Sequence, residues 1–374
     1  GALRLAALRT QHLEEGAKPL GIALLGLGDY ATHQLAPAIK NARNARLAGI
    51  VTGSPNKIPV WQKEHGIPDG NVYDYSNFDK IADNKDIDIV YVVTPTGLHP
   101  EFAIRALKAG KHVICEKPMA PTVEDCTRMI EAARENQRTL QIGYRLHWDP
   151  FHLRLMEAMK EKQFGPWTSI DAADGGRMKD FTGYHAWRVK KELGVAGALY
   201  DLGVYAVQAQ LYSSGELPVR VTARSWTERN EIFNEVPEHW EWELEFEGGR
   251  KAKGFASYGK SVNYIHVETA KGPIQIEPTY GYTGLKGSTP DGPMEFQHVS
   301  QQQLQIEGQV DAILSGKPSR VPGEMGRRDI RVIELYRLEV GETPPRFAEF
   351  RLQGDRLAVG FDAVGRPADC LQRM

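Results

Sequence analysis

From Gly21 onward, short apolar runs alternate with amphipathic stretches. Ile22-Ala23-Leu24-Leu25 ends at glycines, and a helical stretch follows to about Arg43. The spacing predicts a strand at Leu47–Thr52, a helix at Ile58–His65, an extended pair at Val72-Tyr73 and a helical segment at Phe78–Asn84. Asp88–Val93 is a strand, apolar after its first residue. Pro100–Ala109 reads as a helix and His112–Cys115 as a strand. Val123–Gln137 is a helix with Glu124 and Asp125 in its first turn, where carboxylates favour the helix dipole, and Thr139–Ile142 closes the unit. Short apolar runs separated by helices mean parallel strands with crossover helices. Residues 19–145 are therefore expected to form a doubly wound α/β domain.

The pattern changes beyond residue 145. Residues 150–163 and 197–213 look helical, and 219–276 is mostly strand-like. Trp240, Trp242, Leu244 and Phe246 alternate with Glu241, Glu243, Glu245 and Glu247. That period of two gives one apolar and one acidic face, and the acidic face is expected to be structural. Helices return at about 300–315 and 325–339. Strands flanked by helices predict an α+β domain over 146–345 with a large, mainly antiparallel open sheet. Such a sheet leaves a face to cover, so it is expected to build a subunit interface. A partial leucine stripe in residues 1–18 suggests an arm that packs on a neighbouring subunit. Residues 346–374 form a tail with hairpin character at Phe350–Phe361.

Composition narrows the function. The 374 residues suit two domains, and 46 basic against 48 acidic side chains give a net charge of −2. That balance supplies no electrostatic reason for a nucleic-acid or anionic-membrane partner, and no apolar run approaches a membrane span. Cys115, Cys126 and Cys370 match no zinc or redox spacing, so no metal is expected.

The chemistry sits at strand ends, where open α/β sheets bind ligands. Gly26-Leu27-Gly28-Asp29-Tyr30-Ala31 is G-x-G-x-x-A between an apolar strand and a helix. Gly26 allows a tight turn, Gly28 lets backbone approach a pyrophosphate, and Ala31 permits close strand–helix packing. An NAD site would place a carboxylate at the end of the second strand. Here stand Thr52, Ser54 and Lys57, which suit a 2′-phosphate and argue for NADP. The Thr94-Pro95 turn follows the strand at 88–93. Glu116-Lys117-Pro118 then ends the run His112–Cys115 and aims an ammonium group at the bound nucleotide, although an isolated Lys-Pro is better read as a surface lysine before a turn. Asp201 and Tyr205 are i and i+4, on one helical face. A carboxylate and a phenol side by side can bind a polyol and move a proton.

Together these segments resemble the glucose–fructose oxidoreductase/inositol dehydrogenase/rhizopine-catabolism family. The carriers are GLGDYA (26–31), YDYSNFDKIA (73–82), LHPEFAIRALKAGKHVICEKPMA (98–120), IGYRLHWDP (142–150), WRVKKEL (187–193), ALYDLGVY (198–205) and KPSRVPGEMGRRDIRVIE (317–334). The resemblance spans about 20–345 and implies a Rossmann domain plus a substrate-binding and oligomerisation domain, with a homodimer or homotetramer formed through the second sheet. It implies that Lys117 binds substrate and nicotinamide, that Asp201 holds substrate hydroxyls, and that Tyr205 transfers the proton. Many inositol dehydrogenases have His in place of Tyr205, so the glucose–fructose branch is favoured. Cofactor contacts are implied for Asp29, Tyr30, Tyr75, His99 and Glu116, and for the pair Trp187-Arg188. Tyr144 and Arg145 are expected to line the cleft and touch the sugar, and Arg145 the cofactor as well.

The implied activity is NADP-dependent hydride transfer at the C1 or carbonyl carbon of a monosaccharide. With a retained cofactor the cycle is ping-pong: an aldose becomes a lactone and a second sugar an alditol. Alternatives are a dehydrogenase of inositol, an anhydro-sugar or a dihydrodiol with a dissociable cofactor, and a non-catalytic NADP or sugar sensor. Three features depart from the family. Asp29 stands where the glucose–fructose members have Lys, Val195-Ala196-Gly197 replaces a triple glycine, and 161–186 diverges. The sequence does not name the compartment: it is the periplasm if the chain is like the glucose–fructose members, otherwise the cytoplasm.

Overall fold

The structure, a computed structural model, describes residues 18–339, 350–353 and 356–359. The expected N-terminal arm lies outside the described residues, apart from Lys18.

Six parallel strands form the first sheet: β1 (Leu20–Leu25), β2 (Ala45–Val51), β3 (Val72–Tyr73), β4 (Ile89–Val92), β5 (His112–Cys115) and β6 (Leu140–Ile142). Their order is β3-β2-β1-β4-β5-β6. That order reverses direction between β1 and β4, which opens a crevice at the carboxyl ends of the strands. β1 and β4 are buried along nearly their whole length, as strands covered on both faces must be. Helices α1 (Ala36–Asn41), α2 (Ile58–His65), α3 (His99–Lys108) and α4 (Val123–Glu135) connect them. α4 starts on Thr122, whose side chain accepts the Asp125 amide. α1 is preceded by a π turn, Ala31–Leu35, directly after the glycine loop.

After α5 (Pro150–Lys160), a second sheet is built from β7 (Trp167–Gly175), β8 (Arg220–Trp226), β9 (His239–Glu245), β10 (Lys251–Ser257), β11 (Val262–Thr269), β12 (Gly272–Ile276), β13 (Gly287–Thr289) and β14 (Gly292–Met294). Only β7 and β10 pair in parallel. Helix α6 (Val204–Ser214) covers the inner face, led in by a π turn at Leu199–Gly203. On β9, Trp240, Trp242 and Leu244 are buried, while Glu241 pairs with Arg224, Glu243 with Lys251 and Glu245 with Arg220. The acidic face is thus a cross-strand ion-pair ladder. In the tail, β15 (Phe350–Gln353) and β16 (Arg356–Val359) form a hairpin, and β15 joins the edge of β8.

One segment sits differently from the sequence reading. Helix α7 (Gln301–Ser315) falls within 146–345, yet its Ile306 and Val310 share a core with Ile22, Leu24 and Ile39. α7 thereby packs on α1 and β2 of the first domain. Helix α8 (Gly323–Glu339) likewise packs on α4.

Candidate active site

The nucleotide wall of the cleft is mostly backbone. Gly26 has φ +100°, and a Cβ there would meet the Val93 carbonyl oxygen at 2.9 Å, so only glycine fits. Around Gly28 a Cβ would meet nothing within 4 Å, which leaves room for a pyrophosphate. Thr52 is buried at the end of β2 and its hydroxyl accepts the Ser54 amide at 3.0 Å. Lys57 donates to the Leu27 carbonyl at 2.7 Å, which ties the β2 turn to the glycine loop. The Tyr75 ring lies against Gly53 and packs on Phe102. Thr94 presents a buried hydroxyl with no hydrogen-bond partner, a donor left for a ligand. Pro95 opens the short turn Thr96–Leu98 beside it. Asp29 is exposed and 3.6 Å from His33. These features fit a dinucleotide: a glycine cradle, a helix start, a hydroxyl-and-lysine turn at β2 and an orphaned hydroxyl at β4.

Two aromatic contacts span from this wall to the second domain. Lys57 Nζ lies 4.4 Å over the ring of Tyr184, which is 56% exposed. The Tyr30 and Tyr282 rings are 6.2 Å apart on the other side of the loop.

At the end of β5, Glu116 is buried and accepts from Tyr91 at 2.7 Å and from the Lys117 amide at 3.2 Å. Burial pushes its carboxyl above the usual range. Gly143 makes room for it, since a Cβ there would come within 2.4 Å of Oε1. Lys117 then leaves the strand toward the second domain. Its Nζ donates to the Asp201 carbonyl at 2.6 Å, lies 3.7 Å from Asp201 Oδ1, and sits 4.5 Å from the Tyr205 ring centroid. One ammonium therefore joins the carboxylate and the phenol.

Asp201 occupies the π turn and Tyr205 the first turn of α6. π turns inside helices often accompany functional sites because the extra residue re-aims side chains. Asp201 Oδ2 accepts from Arg188 Nε at 2.7 Å and from the Tyr258 hydroxyl at 3.1 Å. Burial pushes this carboxyl up, but Arg188 and Lys117 more than offset it and hold it down at about 2. Tyr205 Oη accepts from Arg145 Nε at 3.1 Å, and its ring stacks on Tyr280 with centroids 5.6 Å apart. Arg145 is buried and anchored by Gln301 and by the carbonyls of Tyr280 and Gly281.

Four expectations change. His99 is 1% exposed and lies between the carbonyls of Thr94 (2.8 Å) and Pro118 (3.0 Å). It joins the β4 and β5 turns and has no face left for a cofactor. Tyr144 is 1% exposed and packs against His147 and Asp329 in the core. Tyr144 caps the short helical turn Arg145–Trp148 and turns into the core, whereas Arg145, the first residue of that turn, bonds Tyr205. The Glu116 carboxylate is buried against Tyr91 and the Lys117 amide, though Tyr30 and Arg145 feel its charge. The Arg188 guanidinium, stacked 4.7 Å over Trp187, bonds Asp201.

The sequence reading missed Tyr258, Tyr280, Tyr282 and Asp174. Asp174 ends β7, is 7% exposed, and feels Lys117, Arg145 and Asp201 electrostatically. Burial raises its carboxyl to about 7. Nothing in Ala173-Asp174-Gly175 separates it from an ordinary strand-end turn. Among the described residues, no group of three or more His, Cys, Asp or Glu is placed to hold a metal, and no helix is long and apolar enough to cross a membrane.

Comparison with known proteins adds an independent line. A family model described as the GFO/IDH/MocA oxidoreductase family, NAD-binding Rossmann fold, matches residues 20–144. The GFO/IDH/MocA C-terminal domain model matches residues 152–279. The solved aldose–aldose oxidoreductase of Caulobacter crescentus, crystallised with glycerol, is 35% identical with a TM-score of 0.84, over 90% of this chain and all of that one. The NADP+-dependent D-xylose 1-dehydrogenase of Haloarcula marismortui is 26% identical over 87% of this chain and 92% of its own. The NADP+-dependent scyllo-inositol 2-dehydrogenase of Bacillus subtilis is 24% identical over 79% and 72%.

Proposed function

Because the chain belongs to the GFO/IDH/MocA oxidoreductase family, we propose that it is an NADP-dependent sugar oxidoreductase acting at the C1 or carbonyl carbon of a monosaccharide. The observation that carries the reading is the convergence of Lys117 on both Asp201 and Tyr205 at the carboxyl end of β5. The cofactor assignment rests on Thr52, Ser54 and Lys57 at the β2 turn and on the NADP+-dependent relatives.

NADP, when bound, supplies the hydride acceptor and donor. Gly26, Gly28 and the start of the π turn would hold its pyrophosphate, and Thr52, Ser54 and Lys57 its 2′-phosphate. Lys117 meets the sugar oxygen and stabilises negative charge that develops on it, an effect that is large in a cleft shielded from water. In its phenolate form Tyr205 Oη takes the hydroxyl proton as hydride leaves the same carbon, and in the reverse direction the phenol returns it to the carbonyl oxygen. Asp201, fixed by Arg188 and Tyr258, keeps Lys117 in place and offers Oδ1 to a neighbouring hydroxyl. Arg145 orients the phenol from its other side.

The finer reading is a ping-pong cycle with retained cofactor. The contacts Lys57–Tyr184 and Tyr30–Tyr282 tie the nucleotide wall to the second domain, which supports slow release. Heating freshly purified protein should then release NADP measurable by absorbance; protein that purifies empty overturns this part. The activity itself is tested with Tyr205→Phe. Turnover of the best aldose should fall about 10²-fold or more while NADP binding is kept, the usual scale for a lost acid–base group. Near-wild-type turnover in that variant removes Tyr205 from the mechanism.

A further inference from the structure

Asp174 is a buried titratable group that the mechanism above does not use. Its surroundings place it at the site. In the sheet register it lies beside Ala256 of β10 and opposite Asn263 of β11. Two residues past Ala256, Tyr258 donates to Asp201. Asn263 Oδ1 accepts the amides of Thr279 and Tyr280, at 2.6 and 2.8 Å, and so fixes the ring that stacks on Tyr205. Asp174 thus stands between the strand that holds Asp201 and the strand that holds the Tyr205 stack.

The side chain also faces the right way. Ile170, Ala172 and Asp174 alternate onto one face of β7 and are all buried, whereas Asp171 is exposed on the other. The inner face is the one that α6 and its π turn cover. Among the described residues no side chain donates a hydrogen bond to Asp174; only the Gly175 amide leans on it. The hydroxyl of Tyr280, also buried, has no partner either. A buried carboxyl is expensive unless donors reach it, and here the protein supplies one backbone amide. A ligand hydroxyl would supply another.

We infer that Asp174 is a second substrate-binding carboxyl, which takes a hydroxyl of a polyhydroxylated substrate other than the one that reacts. Lys117 and Tyr205 receive the reacting oxygen, and Asp174 reads the sugar from the sheet side of the cleft. This makes the residue a determinant of which sugars are accepted. A site built to bond a hydroxyl discriminates strongly against the analogue that lacks it, because its own polar group is then left unpaired. The inference rests on the sugar-oxidoreductase reading, and the experiment keeps the two separable.

Asp174→Asn and Asp174→Ala are assayed beside wild type on an aldose panel and on the monodeoxy analogues of the best substrate. Melting and NADP+ binding are measured on each protein. The expected result is a KM for the best aldose raised about 10-fold or more with kcat within about 3-fold, the pattern of lost binding shared by ground and transition states. One deoxy analogue that wild type disfavours should be used by the variants almost as well as the parent sugar. An unchanged KM, or discrimination retained against every deoxy analogue, overturns the inference. So does an equal loss of kcat on all sugars with lowered melting, because that pattern is structural. A separate arm follows melting of the NADP+ complex with added glycerol or xylitol. A polyol shift in wild type that both variants lose supports Asp174 even if no sugar turns over, and in that case only the oxidoreductase reading fails. Equal shifts in all three proteins, or no wild-type shift together with no turnover, sink the inference.

Discussion

Asp201 and Asp174 are two carboxyls packed near one lysine, and their surroundings shift them in opposite directions. Asp201 is gripped by Arg188, Tyr258 and Lys117 and is held at about 2. Asp174 is offered one backbone amide, and burial lifts it to about 7. Burial alone raises both; a guanidinium at 2.7 Å reverses the sign for one of them. The comparison shows that the protein spends its donors on the carboxylate that must stay charged and leaves the other free for what enters the cleft.

The largest expected effect comes from removing the cation that the two share. Lys117→Met should lower kcat/KM about 10³-fold, since it withdraws positive charge from the reacting oxygen and from Asp201 together. NADP+ binding measured by fluorescence should be far less affected. A loss below about 10-fold would remove Lys117 from the mechanism.

Arg188→Met separates the carboxyls. It leaves Asp201 with Lys117 and Tyr258 only, and breaking a buried pair from one side destabilises by about 3 kcal/mol or more. Denaturant unfolding should show this. The Asp201 carboxyl should also rise toward ordinary values. In wild type the depressed Asp201 stabilises the fold above the ordinary carboxylate range near pH 4, and that stabilisation is lost as pH falls through about 2. The variant should lack this acid limb.

For Asp174 the sign is reversed. Between about pH 4 and 7 the unfolded chain has lost this proton and the folded chain has kept it, so stability falls as pH rises through that window and stays lower above it. Asp174→Asn should abolish the slope and be more stable than wild type at pH 8, with a ceiling of about 4 kcal/mol for a carboxyl raised to about 7. Parallel melting curves for the two proteins from pH 4 to 8 would contradict the raised carboxyl. The smallest effect belongs to Tyr258→Phe, which removes one donor from Asp201. About 1 kcal/mol of stability should go, with turnover reduced several-fold, because Arg188 still holds Oδ2.

The site was legible wherever chemistry coincides with a local pattern. Lys117 sits at a strand end behind Glu116, the glycine loop follows an apolar run, and Asp201 and Tyr205 share a helical spacing. Their relative placement was not legible. His99 and Lys117 stand in one continuous motif, yet one clamps two turns from below and the other crosses to the second domain. Tyr144 and Arg145 are neighbours in sequence and part company at the end of β6. Arg188, expected at the cofactor, bonds a carboxylate thirteen residues on.

By itself, the sequence determined the alternation of strands and helices in 19–145, the backbone cradle, the period-two face of β9, and the residue types able to move a proton. Those follow from steric rules and hydrophobic periodicity, which act over a few residues. Tertiary structure decided that α7 returns to the first domain's core, that Tyr258 and Arg188 converge on Asp201, and that Asp174 faces the cleft with few donors. These depend on registers between strands some eighty residues apart and on the burial that folding creates. A carboxyl's charge in such a place is a property of its surroundings, so no reading of Ala173-Asp174-Gly175 alone could have assigned it.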